Sequence, residues 1–269
     1  MFMKRLRGFM LFLIVCLLSG CDLIDYHPYD CRISGSTDIN RRNRQKIELE
    51  CAGKDTIRFA VISDTQRWYD ETSDLVKSIN AIENIDFVIH CGDQTDFGLT
   101  KEYIWMRKIL EGFKKPFVCV IGNHDCLGTG EDAFAKIYGD VNFSFNASFL
   151  HFVCLNTNAF EYDYSVAIPD FTFIEQDQAQ TSTTTRTIAL MHAPPGSEQF
   201  NNNVAKPFHQ ILKKYADLMF CVHGHSHYTS IDEPLKDGLL YYQCGAASKH
   251  AYLLFTITKT DYTYEAFGH

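Results

Sequence analysis

Five short clusters, each placed after an apolar run, supply two carboxylates, two carboxamides and three imidazoles as candidate ligands: Asp64-Thr65-Gln66, Gly92-Asp93-Gln94-Thr95-Asp96, Gly122-Asn123-His124-Asp125, Met191-His192 and Gly224-His225-Ser226-His227. Asp64, Gln66, Asp93, Asn123, His192, His225 and His227 together offer oxygen and nitrogen donors for two hard or borderline divalent ions. A single Asp after a strand is usually a turn residue or a helix cap. Five clusters in series reverse that reading. His225 and His227 carry most weight, because alternate residues of an extended turn point to one side. A bridging ligand between two divalent ions should be anionic, and Asp93 suits that place. Two such ions carry four positive charges, and the two carboxylates with a bridging hydroxide return three. The remaining positive charge favours an incoming phosphate.

The elements that must position these residues alternate between strand and helix. Apolar β-type runs cover 57–62, 87–91 and 117–121, and helical spacing covers 73–84 and 100–110. Asp64, Asp93 and Asn123 are separated by roughly thirty residues each, the length of a βαβ unit. Parallel strands with crossover helices follow, and ligands of such sheets gather at the strand C-terminal ends. The second half adds paired strands at 143–145 and 149–155 and a helix near 170–179. Strands at 187–191 and 218–222 end at His192 and at the His225 turn, and 239–244, 252–258 and 262–267 finish the chain. Residues 56–269 read as one α/β domain.

Before it, Lys4, Arg5 and Arg7 precede an apolar stretch too short to span a bilayer, the pattern of a signal segment over 1–20. Leu18-Ser19-Gly20-Cys21 resembles the bacterial lipoprotein box, which implies a lipid on Cys21 and a membrane-tethered protein of the bacterial cell envelope, periplasmic or surface-facing. Residues 21–55 read as a lipidated stem. It contains a short helix that Asp38 would cap and that ends near Cys51, and its Arg41-Arg42-Asn43-Arg44 run faces either solvent or anionic lipid. The whole chain carries a net charge of −8, and removing the first twenty residues makes it more acidic. A nucleic-acid binder would need a basic stripe instead, so small phosphorylated substrates are the expected partners. Of the ten cysteines, Cys91, Cys119, Cys154 and Cys221 lie in apolar runs and read as core. Cys31 and Cys51 are the pair outside such runs, where an envelope compartment permits a disulfide.

The order of the clusters resembles the signature of the calcineurin-like metallophosphoesterases, over nearly the whole of 56–267. The resemblance implies a four-layer α/β/β/α sandwich of the metallo-dependent phosphatase type with a dinuclear metal centre, holding two ions drawn from Mn, Fe, Zn or Mg. It places Asp64 and His227 on the first ion, Asp93 between the two, and Asn123, His192 and His225 on the second. His124 becomes the histidine beside the substrate, oriented by Asp96. The implied activity is hydrolysis of phosphate mono- or diesters by a bridging hydroxide.

One position departs from the pattern: the first motif ends in Gln66 where the family usually has histidine. A carboxamide oxygen is a harder and weaker donor than imidazole, so the Gln66 site leans toward Mn or Mg. Gln66 also motivates an alternative, a non-catalytic metal-binding or interaction module on the same fold. Arg67 and Trp68 follow the motif as a cation and an aromatic wall for substrate. His90 and His223 flank motifs off-pattern and read as supporting residues.

Overall fold

Side chains that alternate along a strand give each sheet two faces, and here both faces of the central strands of each sheet are buried. The computed structural model describes His27, 30–163, 165–183 and 185–268. The expected signal segment 1–20 and Cys21 lie outside the described residues. Among those residues no helix is long and apolar enough to cross a membrane.

The first sheet has the order β11 (Tyr262–Phe267), β10 (Tyr252–Thr258), β1 (Thr56–Ile62), β2 (Phe87–His90), β3 (Phe117–Cys119), with β1, β2 and β3 parallel. The second runs β4 (Phe143–Ala147), β5 (Leu150–Cys154), β6 (Arg186–Leu190), β7 (Asp217–His223), β9 (Tyr241–Gln243), β8 (Ser230–Asp232), parallel from β5 to β9 with antiparallel edges. Ile57, Phe59 and Val61 of β1 face the second sheet, while Ala60 and Ile62 face helices α2 (Tyr69–Asn80), α3 (Thr100–Leu110) and α4 (Gly130–Ile137). Val153, Ala189 and Cys221 of the second sheet pack outward with Ile174 of α5 (Phe171–Gln180) and Phe208 of α6 (Ala205–Leu212). The layers are therefore α/β/β/α, as expected.

Aromatic rings fill the space between the sheets. Phe59 stacks on Phe87 at 5.3 Å and on Phe255 at 5.2 Å, and meets Phe152 edge-on at 5.3 Å. Each such fully buried ring stabilises the fold by about 1.5–3 kcal/mol. A sandwich core this apolar holds the two sheets in fixed relation, and the clusters of both sheets depend on that relation.

The short helix expected within the stem is α1 (Ile39–Cys51), and it belongs to the domain core. Ile47 and Cys51 are fully buried. The Asn40 side chain accepts from the Cys119 N–H and donates to its carbonyl, both at 2.8 Å, and Asn43 donates to Phe117 O at 2.7 Å. These bonds cover the open edge of β3, which would otherwise expose its backbone. Asp38 stands at the N-cap with φ 53° but makes no side-chain cap bond; its carboxylate takes Arg41 at 2.6 Å. Cys31 and Cys51 do not pair with each other: Cys31 Sγ bonds Thr129 O at 3.6 Å, and Cys51 is a core residue like Cys91, Cys119, Cys154 and Cys221. Helix α2 starts four residues ahead of the sequence expectation, at Tyr69, and the short elements α4, α6 and β8 carry too few periodic residues to stand out in the sequence.

Candidate metal centre

Strands β1, β2 and β3 run parallel, so the residues that follow them leave the first sheet at one end; β6 and β7 deliver theirs from the second. Ligand atoms of Asp64, Asp93 and His192, all buried, lie within 4.8 Å of one another. His192 Nε2 stands 3.3 Å from Asp93 Oδ2 and 3.2 Å from Asn123 Oδ1. His225 Nδ1 is 3.1 Å from the same Asn123 oxygen. On the other side, His227 Nε2 is 3.3 Å from Asp64 Oδ1, and the Gln66 amide lies 3.3 Å from both His227 Nε2 and Asp93 Oδ2. Seven side chains thus form two groups, Asp64–Gln66–His227 and Asn123–His192–His225, and Asp93 touches both.

Local backbone is bent to allow this. Asp64, Asp93, His225 and His227 all sit at positive φ, 52°, 62°, 80° and 62°. Such conformations cost non-glycine residues of the order of 1 kcal/mol each and persist where surrounding structure dictates them. Two motif glycines have steric reasons. A Cβ on Gly122 would meet Asp93 Oδ1 at 2.1 Å, and one on Gly224 would meet Ser63 Oγ at 1.9 Å.

Hydrogen bonds at the outer nitrogens orient the imidazoles. His192 Nδ1 donates to Cys91 O at 2.8 Å, leaving Nε2 toward Asp93 and Asn123. His225 Nε2 meets Glu198 Oε1 at 3.0 Å, leaving Nδ1 inward. His90 is buried, pairs with Thr65 Oγ1 at 2.8 Å, and burial pushes it down to about 3, so it is neutral. It supports the loop between Asp64 and Gln66, as its off-pattern position suggested. His223 is likewise held down to about 4 by burial. Burial opposes the charge on His192, but the carboxylates of Asp93 and Asp64 dominate and raise it to about 9. Burial also works against the Asp64 carboxylate, yet the nearby imidazoles of His227 and His192 keep it below the ordinary range.

The residues present fit divalent cations. Asp64 Oδ1 and Gln66 Oε1 are buried and lack hydrogen-bond partners, although a buried oxygen without a partner is costly. The Gln66 amide nitrogen faces Asp93 and His227; oxygen and nitrogen of a carboxamide exchange places by rotation, which would turn a donor oxygen into the group. Four oxygen and three nitrogen donors, with no thiol among them, match hard or borderline ions.

Some expectations for the surroundings change. His124 Nδ1 bonds the main-chain carbonyl of Asp96 at 2.7 Å, whereas the Asp96 carboxylate stands 3.9 Å away and pairs with Arg67. Asp96 orients His124, but through its backbone. Arg67 is spent on that pair, and Trp68 turns into the core against the outer face of the first sheet. Neither lines the cavity of about 510 Å³ over the centre, which Asp93, Asn123, His124, Glu198, Gln199 and His225 surround with Ser226 and His227. The sequence reading passed over Glu198, Gln199, Glu161 and Asp125. Glu161 lies near His124 and Asn123, and burial raises its pKa. None of the first three follows a strand in a motif; only Asp125 had a visible signal, inside the third cluster.

Solved structures share this fold. A dimetal phosphatase from Danio rerio is 12% identical, covers 79% of this chain and 96% of its own, and superposes with a TM-score of 0.66. Purple acid phosphatase from yellow lupin seeds is 12% identical over 81% of this chain and 52% of that one, TM-score 0.62. GAP50, the anchor in the inner membrane complex of Plasmodium, is 14% identical over 80% and 85%, TM-score 0.61. No curated protein sequence matches the chain. The family model for calcineurin-like phosphoesterases matches residues 57–229, more than half the chain and all five clusters, and the chain belongs to that family.

Proposed function

We propose that this protein is a metal-dependent phosphoester hydrolase with a dinuclear centre, anchored by lipid on Cys21 in a bacterial cell envelope. The observation that carries the catalytic reading is the convergence of seven donors into two groups that share Asp93. Asp64, Gln66 and His227 would hold one divalent cation, Asn123, His192 and His225 the other, and Asp93 both. Such cations supply an activated water and neutralise phosphoryl oxygens.

The chain's own residues do the rest. Cys91 O and Glu198 fix the tautomers of His192 and His225, so each presents a lone pair inward. The bond from His124 Nδ1 to Asp96 O leaves Nε2 for the cavity, where the ring, as an imidazolium protonated on both nitrogens, would give its Nε2 proton to the departing oxygen or support charge on the phosphoryl group. With Arg67 paired to Asp96, the described residues that line the cavity include no lysine or arginine. That favours a monoanionic diester over a dianionic monoester. His124 also separates the hydrolase from the non-catalytic alternative, which has no use for a proton donor there.

The test is turnover of phosphomonoesters and phosphodiesters by the detergent-solubilised protein with Mn²⁺, beside Asp93→Asn. Diester hydrolysis abolished by Asp93→Asn and by chelator is expected; turnover that survives both overturns the mechanism. Acyl labelling that disappears in Cys21→Ala tests the anchor.

A further inference from the structure

Cationic side chains that the metal centre does not use gather at the other end of the first sheet. Arg42, Lys46, Lys114 and Lys115 line a cleft of about 290 Å³ beside α1 and the start of β3. All four are exposed, and among the described residues none forms an ion pair. Glu50 and Glu111 share the cleft, so its balance is two positive charges on a chain of net −8. Of the arginine run, only Arg42 faces outward here. Arg41 pairs with Asp38, while Arg44 covers the Phe143 ring at 5.1 Å and donates to Ser144 O. Leu49 is 79% exposed and falls on the same stripe of α1 as Arg42 and Lys46, at spacings of seven and three residues. An apolar side chain left in water amid unpaired cations is the composition of an interfacial membrane contact.

Position supports the same partner. Lys115 precedes β3 and Asn123 follows it, eight residues and about 25 Å of extended chain apart. The chain reaches the cleft from Cys31, whose Sγ bonds Thr129 O and whose carbonyl accepts from Lys136: Arg107 then holds the carbonyls of Ser34 and Ser36, and Ser36 lines the cleft. From Cys21 to Ser36 the chain reaches at most about 50 Å. A tether of that length brings the domain to a bilayer without choosing which face meets it.

We propose that the face of Arg42, Lys46, Lys114 and Lys115 seats the domain on an anionic lipid surface, with Leu49 entering the headgroup layer and the metal-site cavity opening away from the bilayer. The proposal takes the lipid anchor from the reading above only for proximity. Cations within a Debye length of anionic headgroups gain attraction that salt screens, and each contributes roughly a fivefold factor in partition.

The full-length lipoprotein, reconstituted on phosphatidylglycerol or phosphatidylcholine vesicles, tests this by amide hydrogen exchange over 39–51 and 111–117. Exchange there is expected to slow about fivefold or more on phosphatidylglycerol relative to phosphatidylcholine, and to recover in high salt. Lys114→Glu with Lys115→Glu should remove the difference while leaving the melting temperature unchanged. Equal exchange on both vesicles, or protection that survives the double substitution, overturns the proposal. A chain that fails to float with phosphatidylcholine vesicles refutes the lipid anchor instead; flotation with phosphatidylglycerol alone, lost in the double variant, then still supports the face.

Discussion

Asp125 Oδ2 accepts the backbone N–H of Asp93 at 2.9 Å, from a carboxyl that is fully buried. The same carboxyl takes the N–H groups of Gln94, Gly122 and Thr95 and the Thr95 hydroxyl, all between 2.9 and 3.1 Å. It therefore ties the loop that carries Asp93 to the loop that carries Asn123. Asp125→Ala leaves four buried N–H groups without a partner and the Thr95 hydroxyl with only His124 O at 3.5 Å, and should cost about 3–5 kcal/mol, a fall in melting temperature of about 10 °C or more. Asp125→Asn keeps one acceptor oxygen and should lose roughly half as much. Thermal unfolding checks both, and an unchanged melting temperature for Asp125→Ala would refute this account of how the loops are joined.

The four-layer architecture was legible because buried parallel strands are short apolar runs and the crossovers have a characteristic length. The candidate donors stood out because each follows such a run. Residues held by irregular backbone were not. Glu198 sits on a loop that Asn202 braces through Gly196 N and Ser197 O, at 2.8 and 2.7 Å, and no period in the sequence marks it. The role of Asp96 was half legible: its position three residues after Asp93 pointed to His124, but the choice of carbonyl over carboxylate depends on Arg67, whose φ of 60° aims its guanidinium across the loop. Helix α1 was legible as a helix but not as a core element, since Asn40 and Asn43, its edge-covering residues, look polar in sequence.

His192 carries a pH prediction. Its pKa in the metal-free protein is about 9, against an ordinary 6.5. A raised histidine stabilises the fold fully below pH 6.5, and that contribution disappears as pH rises through about 9. A cation needs the neutral ring, so binding must expel this proton. Apparent metal affinity should therefore rise about tenfold per pH unit up to about 9 and then level off. Calorimetry in buffers of different ionisation enthalpy should show proton release near pH 7.5; affinity that stays flat from pH 7 to 9 contradicts it.

On the proposed reading, Gln66 would set the selectivity of its half of the centre. Gln66→Ala should weaken one of two metal-binding steps by about 10- to 100-fold, with the other nearly unchanged. Gln66→His replaces a hard oxygen with imidazole and should move preference from Mn²⁺ toward Zn²⁺. Competition titration against a chromogenic chelator resolves the steps. Equal weakening of both steps by Gln66→Ala would mean that the amide does not belong to one group.

His124 and Asp96 should separate under mutation, since the bond between them uses a backbone oxygen that substitution leaves in place. His124→Ala removes the group proposed to face the departing oxygen and should lower kcat by about 10²- to 10⁴-fold, with metal content unchanged. Asp96→Asn keeps the carbonyl and weakens only the pairing with Arg67, a contact whose arginine side is 58% exposed. Its effect on kcat should stay within about tenfold, and the pH–rate profile should keep its shape. A carboxylate that tuned the imidazole directly would instead shift the limb assigned to His124. The two outcomes differ by more than an order of magnitude, so a single steady-state comparison on one phosphodiester decides between backbone and side-chain control.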